Sequence, residues 1–566
     1  MVRPGAVHAM AALAAAVTTA LLVAATHASP PPDADVIIIG GGTAGCVLAA
    51  RLCAALPRVR VLLLERGAPR NATEELLVRS PRLVAGSWST PSVAAAFPSA
   101  ANAGLRGRPV ALVTGATLGG SSAVNAAQWS EPADDGAGAA AWGVAHLTAT
   151  VAARAYARAA ATLGVRVPPR GLRHEYLTDW VAAAAAAGLP RVTDAGGGAP
   201  QSRRGVWLQR LAIDGRGRRV DAGRAYVAPA ARGACARNLV VRQGVTVARV
   251  VLAPHHGRGG GRRGGLVGVV GVEVVPTASA GDGRPPRTTT LRARLGVITA
   301  AGPYGSAPLL LRSGIGRPQA LRSAGVRPVV DLPVGEGLLA RSVGRVVGAY
   351  DGVPLAAVNN ATLLADPATL RRWRAGRGGP LGAALSVGLG RVTTGEGAYF
   401  PAGFASSVPG KPEYNSGCLA NPTSRGRLSL PVGAAATDPL TPPRVETNLL
   451  GNRRDMATLL ACMRKLQAVV EGFRPAFGMT ETVPGADTRL TEELVRRTAT
   501  SGAHLVGGCS VGRVLEATLR VKGVGNLWVV DASALPAMPR SAGPMASVYM
   551  LAEHASEAFI RQFRGQ

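Results

Sequence analysis

The sequence predicts an α/β fold centred on a Rossmann-like parallel sheet, and three observations carry that prediction. The first is a short apolar run, Asp35-Val-Ile-Ile-Ile39, that passes straight into Gly40-Gly41-Gly42-Thr43-Ala44-Gly45 and then into Cys46-Val-Leu-Ala-Ala-Arg-Leu52, a stretch of helical composition. The second is another apolar strand, Val59 to Leu64, that ends on Glu65, twenty residues after Gly45. The third is size: 566 residues, 47% of them hydrophobic, exceed one ordinary core and imply two or more intimately connected domains.

Each part of the first element has a physical reason. Gly40 permits the tight turn, Gly42 lets the backbone approach a pyrophosphate, and Gly45 lets helix and strand pack closely. The helix N-terminus beyond them then offers unpaired N–H groups to phosphate oxygens. A lone GxGxxG is a weak signal in a chain with 73 glycines, and Glu65 strengthens it, because a carboxylate there can accept hydrogen bonds from adenosine ribose hydroxyls. These residues by themselves leave NAD and FAD both open.

Composition excludes several classes. The net charge of +30 suggests a nucleic-acid binder, but the excess is nearly all Arg, with lysine only at Lys411, Lys465 and Lys522. The charge is spread along the chain, and aromatics make up only 4%, so a phosphate-tracking surface with stacking side chains is not expected. Arg3, the small and apolar run Met10 to Ala25, and Thr26-His27-Ala28 before Ser29 read as a signal peptide over residues 1–28. That run is short of the ~20 residues of a bilayer span, and Pro30-Pro31-Pro32 ends any helix. No membrane span is expected once the leader is removed. The expected destination is the secretory pathway, with an organellar transit peptide as the alternative, and export would make Asn71 and Asn360 glycan acceptors. Six scattered cysteines (Cys46, Cys53, Cys235, Cys418, Cys462, Cys509) show no metal-site spacing and leave pairing open, with Cys418 and Cys462 as one candidate pair.

Further motifs follow in order: Glu65-Arg66-Gly67; Thr117-Leu-Gly-Gly-Ser-Ser-Ala-Val-Asn125; Gly302-Pro-Tyr-Gly-Ser-Ala-Pro-Leu-Leu-Leu-Arg-Ser-Gly-Ile-Gly316; His504-Leu-Val-Gly-Gly-Cys509; Leu519-Arg-Val-Lys-Gly-Val524; and Val529-Val-Asp-Ala-Ser533. In this order and spacing they resemble the glucose–methanol–choline (GMC) family of FAD oxidoreductases over almost the whole chain after the leader. Details such as Gly-Gly-Gly-Thr-Ala-Gly-Cys46 and Gly-Gly-Cys-Ser-Val-Gly512 are most similar to its plant-type branch, which includes mandelonitrile lyases.

The resemblance implies FAD as cofactor, an alcohol-type small-molecule substrate, and an electron acceptor it does not identify. It places Thr43 and Ala44 at the pyrophosphate and Glu65 and Arg66 near the adenosine. Thr117, Ser121, Asn125, Ala126, Ala127 and Gln128 would lie along the ribityl chain and flavin edge, and Val247 against the adenine. Asp531 and Ala532 would hold the central phosphates and ribityl group, and Gly543 and Pro544 the flavin edge in the turn before the last helix.

Oxidising an alcohol by hydride loss also requires removal of the hydroxyl proton, and a histidine suits that step. His504 matches the family's active-site histidine. Two departures accompany it. Gly543 stands where the family has a second His or Asn, leaving Arg540 or Ser541 as the polar groups of that turn. In Val334-Gly-Glu-Gly-Leu-Leu-Ala-Arg341, Ala340 and Arg341 replace the usual Asp-His or Asp-Asn. The leading reading is therefore an FAD-dependent oxidation at a CH–OH group with His504 as base. A lyase with structural FAD, a flavin photoenzyme, or an FAD-binding protein without chemistry are the alternatives.

The same resemblance implies a glutathione-reductase-like FAD domain assembled from residues 33–135, 215–345 and 500–566, with an interleaved α+β substrate domain from 136–214 and 346–499. Within these, helical runs are expected at Trp142 to Leu163, Trp180 to Gly188 and Arg453 to Val470, strands over Asn421 to Leu430 and Asp438 to Val445, and a loop excursion at His255 to Arg263.

Overall fold

In the computed structural model, which describes residues 32–132, 137–169, 172, 184–186, 188–192, 205–254, 267–277, 287–350, 360–383, 386–391, 398–408, 411–472 and 478–564, the first apolar run is strand β1 (Ala34–Ile39), followed by helix α1 (Thr43–Ala55) and strand β2 (Val61–Glu65). Residues 34–566 form one unit. The expected signal peptide, residues 1–28, lies outside the described residues.

The elements that matter below follow in chain order: α2 (Ala149–Leu163), β3 (Leu239–Gln243), β4 (Val245–Pro254), β5 (Val267–Pro276), β6 (Thr289–Thr299), α3 (Pro303–Arg312), β7 (Glu336–Tyr350), β8 (Ser386–Arg391), β9 (Ala398–Val408), β10 (Lys411–Ala420), α4 (Arg453–Gly472), β11 (Thr500–Val506), β12 (Leu527–Val529) and α5 (Met545–Phe563).

The first sheet has a parallel core in the order β3–β2–β1–β6–β12. Ile38 lies opposite both Leu63 and Ile298, and Ile298 opposite Trp528. Every residue of β1 and β2 is buried. Strands covered on both faces need no polar side, so their sequences run apolar without alternation. Antiparallel β5 and β4 extend the sheet beyond β6, giving a mixed α/β sheet. Helix α5 is buried along most of its length and packs on α1 and α2. Its Glu553, 2% exposed, accepts from Arg51 of α1 at 2.8 Å and from the Tyr226 hydroxyl at 2.8 Å. The C-terminal helix is thereby fixed over the helix that follows the glycine turn.

The second sheet is antiparallel and organised by β7. One stretch of β7 pairs with β10, and pairing continues through β9 and β8 to Gly205–Leu208. Its other stretches pair with Gly426–Ser429, Met479–Val483 and β11. Strand β7 runs across residues 345 and 346, where the sequence suggests a domain boundary.

Local structure departs from expectation in a few places. The helix expected from Trp142 begins only at Ala149, because Gly143 (φ +74°) and His146 (φ +59°) break the preceding stretch and Thr148 caps the helix by accepting from Val151 N. The second strand starts at Val61 rather than Val59, whose N–H is used in a turn to Leu56 O. The strands expected at 421–430 and 438–445 shrink to Gly426–Ser429 and Arg444–Glu446. Asp438 instead closes a turn by accepting from Leu440 N and the Thr441 hydroxyl. The His255–Arg263 loop and most of the 180–188 run lie outside the described residues.

Two disulfides form, not one. Cys418 of β10 bonds Cys462 of α4, and Cys53 of α1 bonds Cys235. Spacing could not have revealed the second, since its partners are 182 residues apart. Closing the 44-residue separation between Cys418 and Cys462 restricts the unfolded chain. Cys418→Ala is therefore expected to lower unfolding stability by about 2–4 kcal/mol. Denaturant midpoints with and without reductant check this, and a midpoint shared by variant and parent under oxidising conditions would refute it. No helix among the described residues is long and apolar enough to cross a membrane.

Candidate functional site

The glycine turn at the C-terminal end of β1 is built by steric necessity. Gly40 sits at φ +98°, where a Cβ would stand 2.7 Å from Ala300 O, and a Cβ on Gly45 would stand 1.9 Å from Gly40 O. Gly42 caps α1 with no side-chain hydrogen bond, so the first-turn N–H groups of Thr43 and Ala44 have no side-chain acceptor. A second glycine turn faces the first: Gly119 N donates to Gly41 O at 2.7 Å, and a Cβ on Gly120 would lie 2.6 Å from Gly42 Cα. By contrast, a Cβ on Gly42 would meet Ala300 O at 3.7 Å and Gly120 Cα at 3.9 Å, ordinary contacts with no clash. Backbone donors, a helix N-terminus and a cradle of glycines therefore meet at one point.

Glu65 marks the adenosine end. It is 5% exposed, and its two carboxylate oxygens accept from Gly41 N and Gly67 N, each at 2.8 Å. Burial pushes its carboxyl above the ordinary range, while those two N–H groups pull it back. Each oxygen keeps a second lone pair for a ribose hydroxyl. Gly67 O accepts from Gly244 N, which brings Val247 on β4, partly buried, close to the Glu65 turn. Arg66 points outward and is exposed.

Along the other arm, Thr117 is buried and its hydroxyl accepts from Arg70 at 3.1 Å. Ser121 is exposed, and its hydroxyl accepts from Gly115 N at 3.2 Å. Asn125 Oδ1 accepts from Ala127 N and from Arg219, each at 2.8 Å, while its Nδ2 donates to Met545 Sδ at the start of α5. This holds Ala127 at φ +57° with Ala126 exposed and Gln128 partly exposed. The sequence reading missed Arg219. It is fully buried and also donates to Val78 O and Ser122 O, pinning the 122–125 loop from behind.

Asp531 is buried and fully engaged by the protein: Oδ2 accepts from Gly302 N (2.9 Å) and the Ser306 hydroxyl (2.6 Å), and Oδ1 from Ser533 N (2.7 Å) and its hydroxyl (2.6 Å). Burial pushes its carboxyl up and the serine hydroxyls pull it down. The carboxylate thus ties the turn before α3 to the segment after β12, and Ala532 O accepts from Gly507 N. Each carboxylate oxygen thus accepts two hydrogen bonds from the protein, and these residues shape the cradle wall.

His504 stands where β11 leaves regular pairing. The register with β7 slips between Ala340, opposite Leu505, and Ser342, opposite Ser501, and Ala503 adopts φ +55°. Such bulges re-aim side chains next to active sites. The imidazole faces the loop 539–544: a Cβ on Gly543 would lie 3.3 Å from His504 Nε2 and 3.4 Å from Cε1. Glycine thus leaves room for the ring. The neighbouring polar groups of this loop do not take the place of a second base: the Ser541 hydroxyl donates to Gly543 O at 2.8 Å, and Arg540 is exposed. Pro544 is the N-cap of α5. Trp207, Leu419 and Ala542 pack together with Val343 as an apolar cluster, and a Cβ on Gly502 of β11 would stand 3.1 Å from both Leu419 and Val343. Burial, then the charge of Arg341, pushes the imidazole down to about 3. Arg341 was noted from the sequence only as a departure from a motif; an arginine inside the otherwise apolar Leu-Leu-Ala run was the signal that could have found it.

These residues fit an FAD molecule: a glycine cradle at a helix N-terminus, a buried acid at one end, and a loop pinned to α5 at the other. The fit agrees with comparisons to known proteins. Family models described as GMC oxidoreductase match residues 34–343 and 422–552. An oxygen-dependent choline dehydrogenase of Vibrio vulnificus is 26% identical over 92% of this chain and 93% of its own length. A pyridoxine 4-oxidase of Microbacterium luteolum is 27% identical over 66% of this chain and 68% of its own length. An FAD-dependent oxidoreductase from Chaetomium thermophilum superposes with TM-score 0.74 at 21% identity, covering 94% of this chain and 100% of its own. A formate oxidase from Aspergillus oryzae RIB40 does so with TM-score 0.76 at 19% identity, covering 94% and 99%.

Proposed function

The chain belongs to the GMC oxidoreductase family, FAD-dependent enzymes that oxidise alcohols, and from that premise we propose that it oxidises the carbinol carbon of a small alcohol with His504 as the proton acceptor. FAD when bound supplies the hydride acceptor. The observation that carries the reading is the approach of His504 to Gly543: a Cβ on Gly543 would stand 3.3 Å from the imidazole Nε2, so the ring faces the loop ahead of α5. The proposed cofactor contacts are the residues from Gly40 to Gly45, Glu65, Thr117, the Asn125–Gln128 loop and the backbone at Asp531 to Ala532.

The imidazole is held neutral by burial and by Arg341, so it is ready to accept a proton throughout the neutral range. It is a weak base. That weakness is tolerable when proton and hydride leave together, because the hydroxyl acidifies as its carbon loses the hydride. The cluster of Trp207, Leu419 and Val343 keeps water from the reacting carbon and favours substrates with an apolar body. The named substrates of two relatives, choline and pyridoxine, support an alcohol as the substrate class here.

Placement in the plant-type branch rests on the Gly40–Cys46 and Gly507–Gly512 motifs alone. Export after removal of residues 1–28 is supported by the two disulfides, which persist in oxidising compartments. The test of function is to mix purified yellow protein anaerobically with primary, secondary and aromatic alcohols. Bleaching of the flavin band by at least one of them is the expected result. A flavin that stays oxidised while a cyanohydrin is cleaved would overturn the reading in favour of a lyase.

A further inference from the structure

Arg341 occupies the point of β7 where pairing with β11 slips, directly across from residues 502–504. A Cβ on Gly502 would lie 3.5 Å from Arg341 Cβ, so the arginine and the bulge that presents His504 are in side-by-side contact. The Arg341 side chain is 0% exposed. Its Nε donates to Asn421 Oδ1 at 3.1 Å and its Nη2 to the same oxygen and to Pro539 O, the latter at 2.8 Å. Three separated stretches are involved: β7, the segment after β10, and the loop 539–544. That loop carries Gly543, which faces the imidazole.

We propose that Arg341 is the positioning residue of this site: its guanidinium fastens the loop 539–544 to Asn421 and sets a fixed positive charge beside His504. The inference rests on His504 being the base. A planar guanidinium suits the task, because its fork reaches two acceptors in fixed geometry where an ammonium could not. Both of these acceptors are neutral. The elements packed on β11 carry few other titratable groups: Glu336 and Arg345 on β7, Asp531 ahead of the turn at Ala532–Ala534, Arg540 in the loop, and none on Ala111–Gly115. Asp531 is sealed by Gly302, Ser306 and Ser533, and Arg341 is the charge that acts on His504. A positive neighbour disfavours the imidazolium, so removing it raises the proton affinity of His504.

The test compares Arg341→Gln, Arg341→Lys and Asn421→Leu in the FAD-loaded protein. Readouts are kcat and KM over pH, His504 titration by NMR on isotope-labelled histidine, and flavin absorbance as the check of FAD content. Arg341→Gln is expected to lower kcat about 10²-fold through misplacement of the loop and to move the His504 titration up by about one pH unit or more. Arg341→Lys keeps the titration near its parent position and loses about tenfold in kcat, because one ammonium cannot serve both acceptors. Asn421→Leu, which leaves the charge untouched, lowers kcat without moving the titration, and it carries the anchoring claim where Arg341→Gln does not fold. A parent-like titration in Arg341→Gln overturns the charge claim, and parent-like kcat in Asn421→Leu overturns the anchoring claim. Inactive His504→Ala alongside a silent Arg341→Gln refutes this inference alone; active His504→Ala refutes the base assignment instead.

Discussion

His504→Ala is expected to lower kcat by about 10²–10⁴-fold, the usual worth of a positioned general base, while the protein still purifies yellow. The size of the effect follows from the surroundings of the imidazole. Gly543 presents no side chain, the Ser541 hydroxyl is turned to Gly543 O, and the adjoining cluster is apolar. Among the described residues of the loop 539–544, no side chain is turned to inherit the proton. Cofactor binding should survive, because the glycine cradle, Glu65 and the Asn125 loop are built from other segments of the chain. Steady-state rates on whichever alcohol bleaches the flavin, together with the flavin spectrum, separate the two. A variant that turns over at nearly the parent rate removes His504 from the chemistry.

Gly45→Ala and Gly42→Ala are expected to weaken flavin loading by different routes. A methyl on Gly45 would stand 1.9 Å from Gly40 O, well inside any real contact, so β1 and α1 must move apart. That opens the centre of the parallel sheet and should cost about 4 kcal/mol or more, in the range reserved for severe core disruption. Gly42 has φ −82°, a conformation alanine adopts freely, and the nearest atom to its Cβ is 3.7 Å away. Gly42→Ala should therefore fold normally and yet lose at least about tenfold in FAD affinity, or 1.4 kcal/mol, because its methyl occupies the phosphate approach. Thermal unfolding of the apo-proteins and FAD titration distinguish the routes. Equal FAD affinity in Gly42→Ala and the parent would show that the cofactor does not cross this turn.

Much of the fold could be read from local pattern. The strand–turn–helix at Ala34 to Ala55 was legible because each requirement is met by neighbours in sequence: a doubly covered strand needs an unbroken apolar run, and a turn against a helix needs glycine at fixed offsets. Helix α4 was legible for the same reason, and its end was missed by two residues. The start of α2 was not, since the left-handed residues Gly143 and His146 that delay it carry no strong signal in a run of alanines.

The sequence by itself determined the glycine turn and the family, and it singled out His504 as the proposed base, because these readings depend on residue types at short spacing and on the order of motifs. Tertiary structure alone decided that Asp531 spends its carboxylate on Gly302, Ser306 and Ser533, that Arg219 pins Asn125 and Arg341 pins Pro539, and that Cys53 meets Cys235. Apart from Asp531 with Ser533, each of those pairings closes a long stretch of chain. Nothing local encodes which distant backbone a buried side chain will meet; that is set by the packing of two sheets and the helices around them, which brings the ends of such stretches within hydrogen-bonding reach.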